Sequence, residues 1–431
     1  MSADIAVLLI TFTVLVFMNV PIAYCIALAT GFTMMLQMDL TPAVGTVAQR
    51  IATGLDSFTL LAIPFFILSG NLMARGGLAR RLIEFAKALV GSLPGGLAFV
   101  NIVSAMLFGA ISGSAIASAA AIGSFMHPRM VDNGYDPSFS AAVNVTSATT
   151  GLIIPPSNVL IIYSLASGGV SIAALFVAGY LPGILLGLAL MTVAGVVASR
   201  KGYGRAERIT IGETVRRLAD ATLSLTLIVI VIGGIVAGIF TATEAAAIAV
   251  VYALILSMLV YKEVNLSDLR QILLDSSVTT AVVMLLIGTS MGLSWLLAYE
   301  SIPQTITASL LAVSDNPIVI LLIMNIILLG VGTFMDMTPA ILIFTPVFLP
   351  IAISMGIDPL HFGIMMIFNL CIGLCTPPVG TVLFVGCGVA KVSIASIVKP
   401  LLPMYIAMLL ALIIITYVPE ITMFLPRLFG L

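Results

Sequence analysis

The sequence predicts an all-α polytopic membrane protein built from two inverted-topology repeats, each with a reentrant helical hairpin and a broken helix. Three observations predict this fold class. Apolar residues make up 61% of the 431 residues, whereas charged residues make up only 8%. The chain matches itself when it is shifted by 222 positions. Finally, the matching loops of the two halves differ in their positive charge.

The composition places the chain in a lipid bilayer. A soluble domain carries about 25% charged residues, and 8% could not cover the surface of a soluble chain of 431 residues. One spanning helix needs roughly 20 apolar residues, so we expect about a dozen membrane segments and exclude a single-pass anchor. An outer-membrane barrel is excluded because its strands alternate between apolar and polar residues. The 17 Lys and Arg against 18 Asp and Glu argue against nucleic-acid binding.

Apolar stretches follow one another along the chain. The first covers residues 4–36, with an interruption at Asn19 and Pro21, and the amphipathic stretch 37–58 suits the membrane interface. The later apolar stretches are 59–74, 97–126, 138–175, 177–198, 221–240, 242–260, 276–297, 317–350, 361–390 and 400–420. Several of them are interrupted by Gly, Pro and Ser. Such interruptions are tolerated at membrane depth only where protein or a water-filled cavity satisfies the freed backbone groups.

An internal repeat divides the chain into two similar halves, 1–220 and 221–431. The residues that coincide at a shift of 222 are Pro128 with Pro350, Gly134 with Gly356, Asp136 with Asp358, Pro137 with Pro359, Gly151 with Gly373, Pro155 with Pro377, and Pro156 with Pro378. The repeat predicts a reentrant hairpin at about 97–126 and a broken helix at about 138–175. Their counterparts are a hairpin at about 317–350 and a broken helix at about 361–390.

Positive charge indicates that the two halves are inverted. The loops 74–96 and 127–137 carry five Lys and Arg residues, whereas the equivalent loops 298–316 and 349–360 carry none. Positively charged loops face the cytoplasm. Equivalent loops therefore lie on opposite sides of the membrane, which is the pattern of inverted-topology repeats. We expect the two hairpins to enter from opposite sides and their tips to meet near the midplane.

The first pair of interruptions is GAISGSAIAS at 109–118 and TGLIIPPSN at 150–158. Interrupted helices expose carbonyl and amide groups, and secondary transporters bind ions and substrates at such points. The prolines of the second segment supply no N–H, so nearby carbonyls are free to bind a hard cation such as sodium. The candidate ligands are Ser112, Ser114, Gly151 and Ile154. The alternative is that small residues here only permit close helix packing.

The second pair is GVGTFMDMTP at 330–339 and IGLCTPPVGT at 372–381. Its carboxylate, Asp336, lies inside an apolar stretch, where an ionisable residue is costly and is a functional hypothesis by default. The candidate ion ligands are Gly332, Thr333, Asp336, Thr338, Gly373 and Cys375. A role in capping the hairpin is the alternative for Asp336. For Ser157, Asn158 and Thr381, beside the two double prolines, substrate contact and helix capping are both open.

Other classes of function fit the sequence less well. An intramembrane serine protease needs a serine paired with a histidine, and no serine is evidently paired with His361. The chain has no Walker A pattern, so ATP is not its energy source. A channel needs a continuous pore with a selectivity ring, which two reentrant hairpins do not suggest. We therefore expect no enzymatic activity.

Four motifs in this order resemble the large membrane subunit of tripartite ATP-independent periplasmic (TRAP) transporters, the DctM or SiaM type. They are GAISGSAIASAAAIG at 109–123, GLIIPPSN at 151–158, TEAAAIA at 243–249 and TPPVGTVLFV at 376–385. The resemblance covers essentially the whole chain. It implies an elevator-type transporter similar to the ion transporter superfamily, in which the hairpins and broken helices move against a fixed scaffold.

The resemblance also implies a multi-pass subunit of a sodium-driven importer in the bacterial inner membrane. One sodium site would match the first pair of interruptions, and a second would match Asp336 and its partner interruption. The implied partners are a small four-helix membrane subunit on a separate chain and a periplasmic substrate-binding protein. The implied substrate is an organic acid: a C4-dicarboxylate, a sugar acid or, the favoured one, sialic acid. The alternative is a standalone sodium-coupled organic-anion carrier that needs no binding protein.

Overall fold

In the computed structural model, residues 3–203, 211–314 and 316–431 are described, and these segments contain helices and turns but no strand. The helices up to residue 201 are α1 (Ala3–Phe17), α2 (Ile22–Gln37), α3 (Leu40–Leu55), α4 (Ala62–Arg75), α5 (Leu78–Val90), α6 (Gly96–Ser112), α7 (Ala115–Asp132), α8 (Pro137–Ala148), α9 (Thr150–Ile153), α10 (Asn158–Ala166) and α11 (Ile172–Lys201). The helices that follow are α12 (Ile211–Val236), α13 (Ala242–Leu254), α14 (Leu266–Tyr299), α15 (Ile302–Val313), α16 (Pro317–Phe334), α17 (Met337–Ser354), α18 (Pro359–Gly373), α19 (Thr381–Ala390), α20 (Ile394–Tyr417) and α21 (Glu420–Phe429).

The chain is a polytopic membrane protein, as its composition predicts. Eight of the described helices are long and apolar enough to cross a bilayer, or nine spans if the bent pair 137–153 and 158–166 counts as one. This number is lower than the expected dozen because some apolar helices stop before they reach spanning length. Helices α6, α18 and α19 have 17, 15 and 10 residues.

The predicted hairpin at 97–126 consists of α6 and α7, which meet at Gly113. This residue has φ +59°, a conformation that glycine adopts without strain. A Cβ atom there would lie 2.9 Å from the carbonyl oxygen of Pro156. Ser114 then starts α7, because its Oγ accepts a hydrogen bond of 3.2 Å from the backbone N–H of Ala117. The tip of the first hairpin therefore lies against the first double-proline break.

The predicted hairpin at 317–350 consists of α16 and α17. Met335 and Asp336 join the two helices in extended conformations. Asp336 is thus the residue at which α17 begins. This junction differs from that of the first hairpin, which turns through a left-handed glycine.

Both predicted broken helices stop at a double proline. The first changes from α9 to α10 across Pro155 and Pro156, with a bend of 50° between its two parts. The second changes from α18 to α19 across Pro377 and Pro378. Proline interrupts a helix because it has no N–H to donate and its ring clashes with the preceding turn. Both Pro–Pro peptide bonds are cis.

The structure corrects the predicted end of the first broken helix. We expected this element to extend to residue 175, but α10 ends at Ala166 and α11 begins at Ile172. Gly168 and Gly169 form the turn between them with φ +82° and +113°. The residues at 167–171 are Ser-Gly-Gly-Val-Ser, and such Ser-Gly and Gly-Gly pairs are a turn signal that the expectation from hydrophobicity overlooked.

The hairpins and broken helices pack crosswise. Helix α10, from the first broken helix, contacts α17 and α18, whereas α19, from the second, contacts α7 and α8. A separate group forms around α14, which packs against α2, α3 and α4, while α13 packs on α4 and α12 on α5. A cavity lies where these two groups of helices meet.

Candidate functional site

A cavity of about 430 Å³ lies between the two hairpin tips. Small-molecule sites typically measure about 300–1,000 Å³, so the space suits a small organic molecule. Helices α4 and α14 also line the cavity. The polar residues that line the cavity are Asn71, Ser112, Ser114, Asn158, Thr279, Asp336, Thr338 and Thr381.

At the first hairpin tip and the double-proline break beside it, two buried oxygens that line the cavity have no hydrogen-bond partner within the described part of the chain. They are Ser112 Oγ and Asn158 Oδ1. Ser112 is only 3% exposed, and both residues line the cavity. A buried polar atom without a partner is costly. These two atoms are therefore candidates for binding an ion or a substrate.

At the second hairpin tip, the carboxylate of Asp336 is half-buried. Thr381 Oγ1 donates a hydrogen bond of 3.2 Å to Asp336 Oδ1. Because Thr381 begins α19 and Asp336 begins α17, this bond joins the second hairpin to the second broken helix. Thr338, the second residue of α17, is 7% exposed. The result is a set of hydroxyl and carboxylate oxygens, the ligands that hard cations prefer.

Six of the thirteen residues predicted for the site line this cavity, and seven do not. Those that line it are Ser112, Ser114, Asn158, Asp336, Thr338 and Thr381. Those outside it are Gly151, Ile154, Ser157, Gly332, Thr333, Gly373 and Cys375.

The glycines outside the cavity bring backbones together. A Cβ atom on Gly151 would lie 2.5 Å from the Cα of Gly109, and one on Gly373 would lie 2.5 Å from the Cα of Gly332. Each pair joins the end of a hairpin's first helix to the break of its partner helix. In both halves, glycine therefore permits the hairpin and the broken helix to touch.

The other predicted residues outside the cavity have local partners. Ser157 Oγ donates a hydrogen bond of 2.6 Å to the carbonyl of Leu152 across the proline break. Thr333 Oγ1 donates one of 2.7 Å to the carbonyl of Gly330. These two hydroxyls therefore stabilise the ends of interrupted helices. The carbonyl of Cys375 accepts a hydrogen bond from the hydroxyl of Tyr405. The side chain of Ile154 packs where Gly183 has no Cβ.

Sequence reasoning missed the two polar residues that α4 and α14 contribute to the cavity lining, Asn71 and Thr279. A polar residue inside an apolar helix was the available signal. It also missed the carbonyl oxygens of Leu374 and Thr376, which lie 3.0 and 2.9 Å from a Cβ atom built on Gly380. Gly380 has φ +37°, so the fold of this turn, and not its residue types, brings these two oxygens together.

The donors do not resemble a transition-metal centre. No group of three or more His, Cys, Asp or Glu side chains among residues 3–203, 211–314 and 316–431 could hold a metal ion. The lining residues include no Lys, Arg or His. An anionic molecule in this cavity would therefore meet hydroxyls, amides, one carboxylate and the N-terminal ends of α7, α10, α17 and α19, and no basic side chain of the lining would neutralise its charge.

Comparison with known proteins gives one family. The family described as "Tripartite ATP-independent periplasmic transporter, DctM component" matches residues 9–421. Three full-length relatives are also similar. The chain is 57% identical to the uncharacterized protein YgiK of Salmonella typhimurium, over 99% of this chain and 98% of that protein.

The other two relatives have names that state a substrate. Identity is 39% to the C4-dicarboxylate TRAP transporter large permease protein DctM of Rhodobacter capsulatus, over 96% of each chain. It is 40% to the sialic acid TRAP transporter large permease protein SiaM of Vibrio cholerae, over 89% of each chain. Among solved structures, the YdaH transporter of Alcanivorax borkumensis is similar, with a TM-score of 0.63, 14% identity and 89% coverage of both chains. This last match shows a shared fold.

Proposed function

Because the chain belongs to the DctM family of TRAP transporters, whose members are large permease subunits and not enzymes, we propose that it imports an organic acid by sodium coupling. The observation that carries the proposal is the cavity at the hairpin tips. It combines unpartnered oxygens at one tip with a carboxylate at the other, and its lining includes no basic side chain. Bound sodium would supply the positive charge that an organic anion needs there.

The two sodium sites we propose each combine a hairpin tip with a neighbouring break. The first takes ligands from Ser112, Ser114, Gly151 and Ile154, and the second from Gly332, Thr333, Asp336, Thr338, Gly373 and Cys375. Support for the first is the unpartnered Ser112 hydroxyl. Support for the second is the Thr381–Asp336 hydrogen bond, which orients the carboxylate. Asn158 and Thr381 are proposed to contact the substrate, whereas the Leu152 bond gives Ser157 a structural role.

We propose that the halves 1–220 and 221–431 are inverted repeats. Two observations support this proposal. The first is the crosswise packing of α10 on α17 and of α19 on α7. The second is a contact between residues that are equivalent in the repeat: Cys371 Sγ lies 3.6 Å from the carbonyl oxygen of Thr149, 222 positions earlier. Equivalent residues meet in this way at a pseudo-twofold axis.

We propose an elevator movement, and the division of the helices into two packed groups supports it. The moving unit would consist of α6–α11 and α16–α21, which hold the hairpins, the broken helices and the proposed sodium sites. The frame would consist of α1–α5 and α12–α15. Sodium binding at the tips would preorganise the substrate site, so that sodium and substrate increase each other's affinity.

The substrate class we propose is an organic acid. The chain would work in the bacterial inner membrane with a small four-helix membrane subunit, and a binding protein in the periplasm would deliver the substrate. Similarity does not choose among organic acids. A C4-dicarboxylate permease and a sialic acid permease are almost equally similar to this chain, at 39% and 40% identity. The preference for sialic acid that we drew from the resemblance therefore gains no support.

Uptake in proteoliposomes tests the proposed function. The vesicles contain the chain with its small-subunit partner, and receive labelled succinate or N-acetylneuraminate with or without the cognate binding protein. We expect uptake of one of these acids only with an inward sodium gradient and the binding protein. Sodium-driven uptake without the binding protein would instead support the standalone carrier. Uptake that does not depend on sodium would contradict both.

A further inference from the structure

The cavity has walls of two kinds. One wall consists of hairpin helices and double-proline breaks, and the other consists of α4 and α14. The second wall is mostly apolar, with Ile63, Ile67, Gly70 and Val283 among its residues. Among the described residues of this wall, the polar side chains are those of Asn71 and Thr279.

The first hairpin tip is docked directly on α4. A Cβ atom on Gly70 would lie 2.9 Å from the carbonyl oxygen of Ser112 and 3.3 Å from its Cα. The next residue, Asn71, faces the cavity beside this contact. The proposed sodium ligands of the tip and the amide of Asn71 are therefore next to one another in the state that the structure shows.

Both polar groups of the frame wall keep hydrogen-bonding capacity for a ligand. Asn71 Nδ2 donates a bond of 2.8 Å to Ser276 Oγ on α14, which leaves its second N–H and its carbonyl oxygen. Thr279 Oγ1 donates a bond of 2.9 Å to the carbonyl of Asp275 and can still accept. Thr279 is exposed to the cavity.

We propose that Asn71 and Thr279 contact the transported organic acid in one end state only and strengthen its binding in that state. The inference rests on the proposed elevator function. Ligands on the hairpins and breaks travel with the substrate, whereas α4 and α14 stay in the frame. The contacts of Asn71 and Thr279 therefore exist while the tip is docked at Gly70 and are lost when the moving unit crosses the membrane.

The position of Arg75 identifies the side of the membrane on which these contacts form. Arg75 on α4 forms an ion pair of 2.6 Å with Asp275 on α14. Arg75 is four residues from Asn71 and Asp275 is four residues from Thr279, and four residues span about 6 Å along a helix. Arg75 begins the positively charged segment that we assign to the cytoplasmic side. The two contacts therefore strengthen substrate binding from the cytoplasm and not from the periplasm.

A contact in one end state has a defined thermodynamic signature. The final accumulation of substrate is fixed by the ion gradient and the stoichiometry, not by the affinity of either state. Removal of the Asn71 or Thr279 side chain should therefore change the substrate concentration that gives half-maximal transport from one side of the membrane. The final accumulated amount of substrate should stay unchanged. Removal of a group that travels with the substrate, such as the Thr381 hydroxyl, should change half-saturation on both faces.

The experiment uses the reconstituted complex in oriented proteoliposomes, with succinate or N-acetylneuraminate, whichever the wild type transports. Half-saturation is measured from each face by counterflow for Thr279→Val and Asn71→Leu. Thr280→Val, the same change one residue further along α14, is the matched control, and Thr381→Val is the two-sided comparison. We expect a rise of about fivefold on the cytoplasmic face for each frame variant, the size of one hydrogen bond.

Ser276→Ala separates substrate contact from helix packing, because it removes the bond between α4 and α14 but keeps the Asn71 amide. The proposal is overturned if Ser276→Ala reproduces the shift of Asn71→Leu, if the frame variants shift both faces equally, or if they shift neither. Should Asn71→Leu not assemble, Thr279→Val carries the test, since it is nearly isosteric at an exposed position. Absence of any wild-type uptake would instead reject the proposed function itself.

Discussion

Two acidic residues occupy apolar stretches of this chain in different surroundings. Glu244 is exposed and accepts hydrogen bonds of 2.8 Å from the backbone N–H of Thr241 and 2.9 Å from its hydroxyl. Together the two residues form a capping box at the start of α13. Asp336 instead lines a cavity and meets a hydroxyl from a different helix. The first acid is explained by local helix capping, whereas the second lies where a ligand can reach it.

Asp336→Asn should reduce sodium-dependent uptake by at least about tenfold, the value of one hydrogen bond or ligand contact to a charged group. The change keeps the shape of the side chain and removes the charge that holds sodium. Initial uptake at increasing sodium concentration is the measurement.

Asp358→Asn is the control for this variant. Asp358 caps α18 by accepting a bond of 2.8 Å from the N–H of Leu360, and asparagine caps a helix about as well as aspartate. We expect wild-type uptake from it. Undiminished sodium-dependent uptake by Asp336→Asn would remove Asp336 from the sodium site.

At the scale of elements, the two breaks are held against their hairpins by glycine pairs. The contacts join backbone to backbone, with Gly109 on Gly151 and Gly332 on Gly373. A backbone contact cannot be relieved by a change of rotamer. The position of each hairpin relative to its break therefore depends on the absence of a Cβ atom.

Gly373→Ala should destabilise the folded protein by about 1–3 kcal/mol, as overpacking in a filled interior does. Its Cβ would lie 2.5 Å from backbone atoms of Gly332. The midpoint of thermal unfolding in detergent is the measurement, and we expect it to fall.

Gly330→Ala is the matched control on α16, where an added Cβ meets nothing within 4 Å. It should leave the midpoint unchanged or raise it, since alanine is worth up to about 1 kcal/mol over glycine within a helix. Equal midpoints for the two variants would mean that the close approach of α16 and α18 is not required.

At the scale of the whole molecule, the proposed inversion of the two halves has a direct topological consequence. Ser92 and Ser314 are equivalent in the repeat, since 314 minus 92 is 222. Each lies just after a helix, α5 and α15 respectively. Inverted repeats place these two positions on opposite sides of the membrane.

Ser92→Cys and Ser314→Cys should react with a membrane-impermeant maleimide from opposite sides of intact cells or spheroplasts. We expect Ser314→Cys to react from outside and Ser92→Cys only after the membrane is opened. The four native cysteines are all buried, so the wild-type chain gives the background. Reaction of both variants from the same side would refute inverted topology.

The membrane class, the positions of the hairpins and breaks, and six residues of the cavity lining could be predicted from the residues alone. The composition was enough to predict the membrane class because each helix that spans a bilayer must be apolar over most of its length. Gly113, Asp336 and the two double prolines marked the interruptions because their backbone chemistry acts locally, whatever surrounds them. The same local signals pointed to Ser112, Asn158 and Thr381 as cavity residues.

The residue types do not indicate which interrupted segments face one another or which oxygens remain free, because both depend on how distant helices pack. Ser157 and Asn158 are neighbours in sequence, yet one hydroxyl is used by Leu152 while the other side chain lines the cavity. Asn71 and Thr279 join the site from helices far apart in sequence. Such placement depends on packing between distant segments. A local sequence pattern does not predict that packing, because the same residue types occur at helix ends and on helix faces throughout the chain.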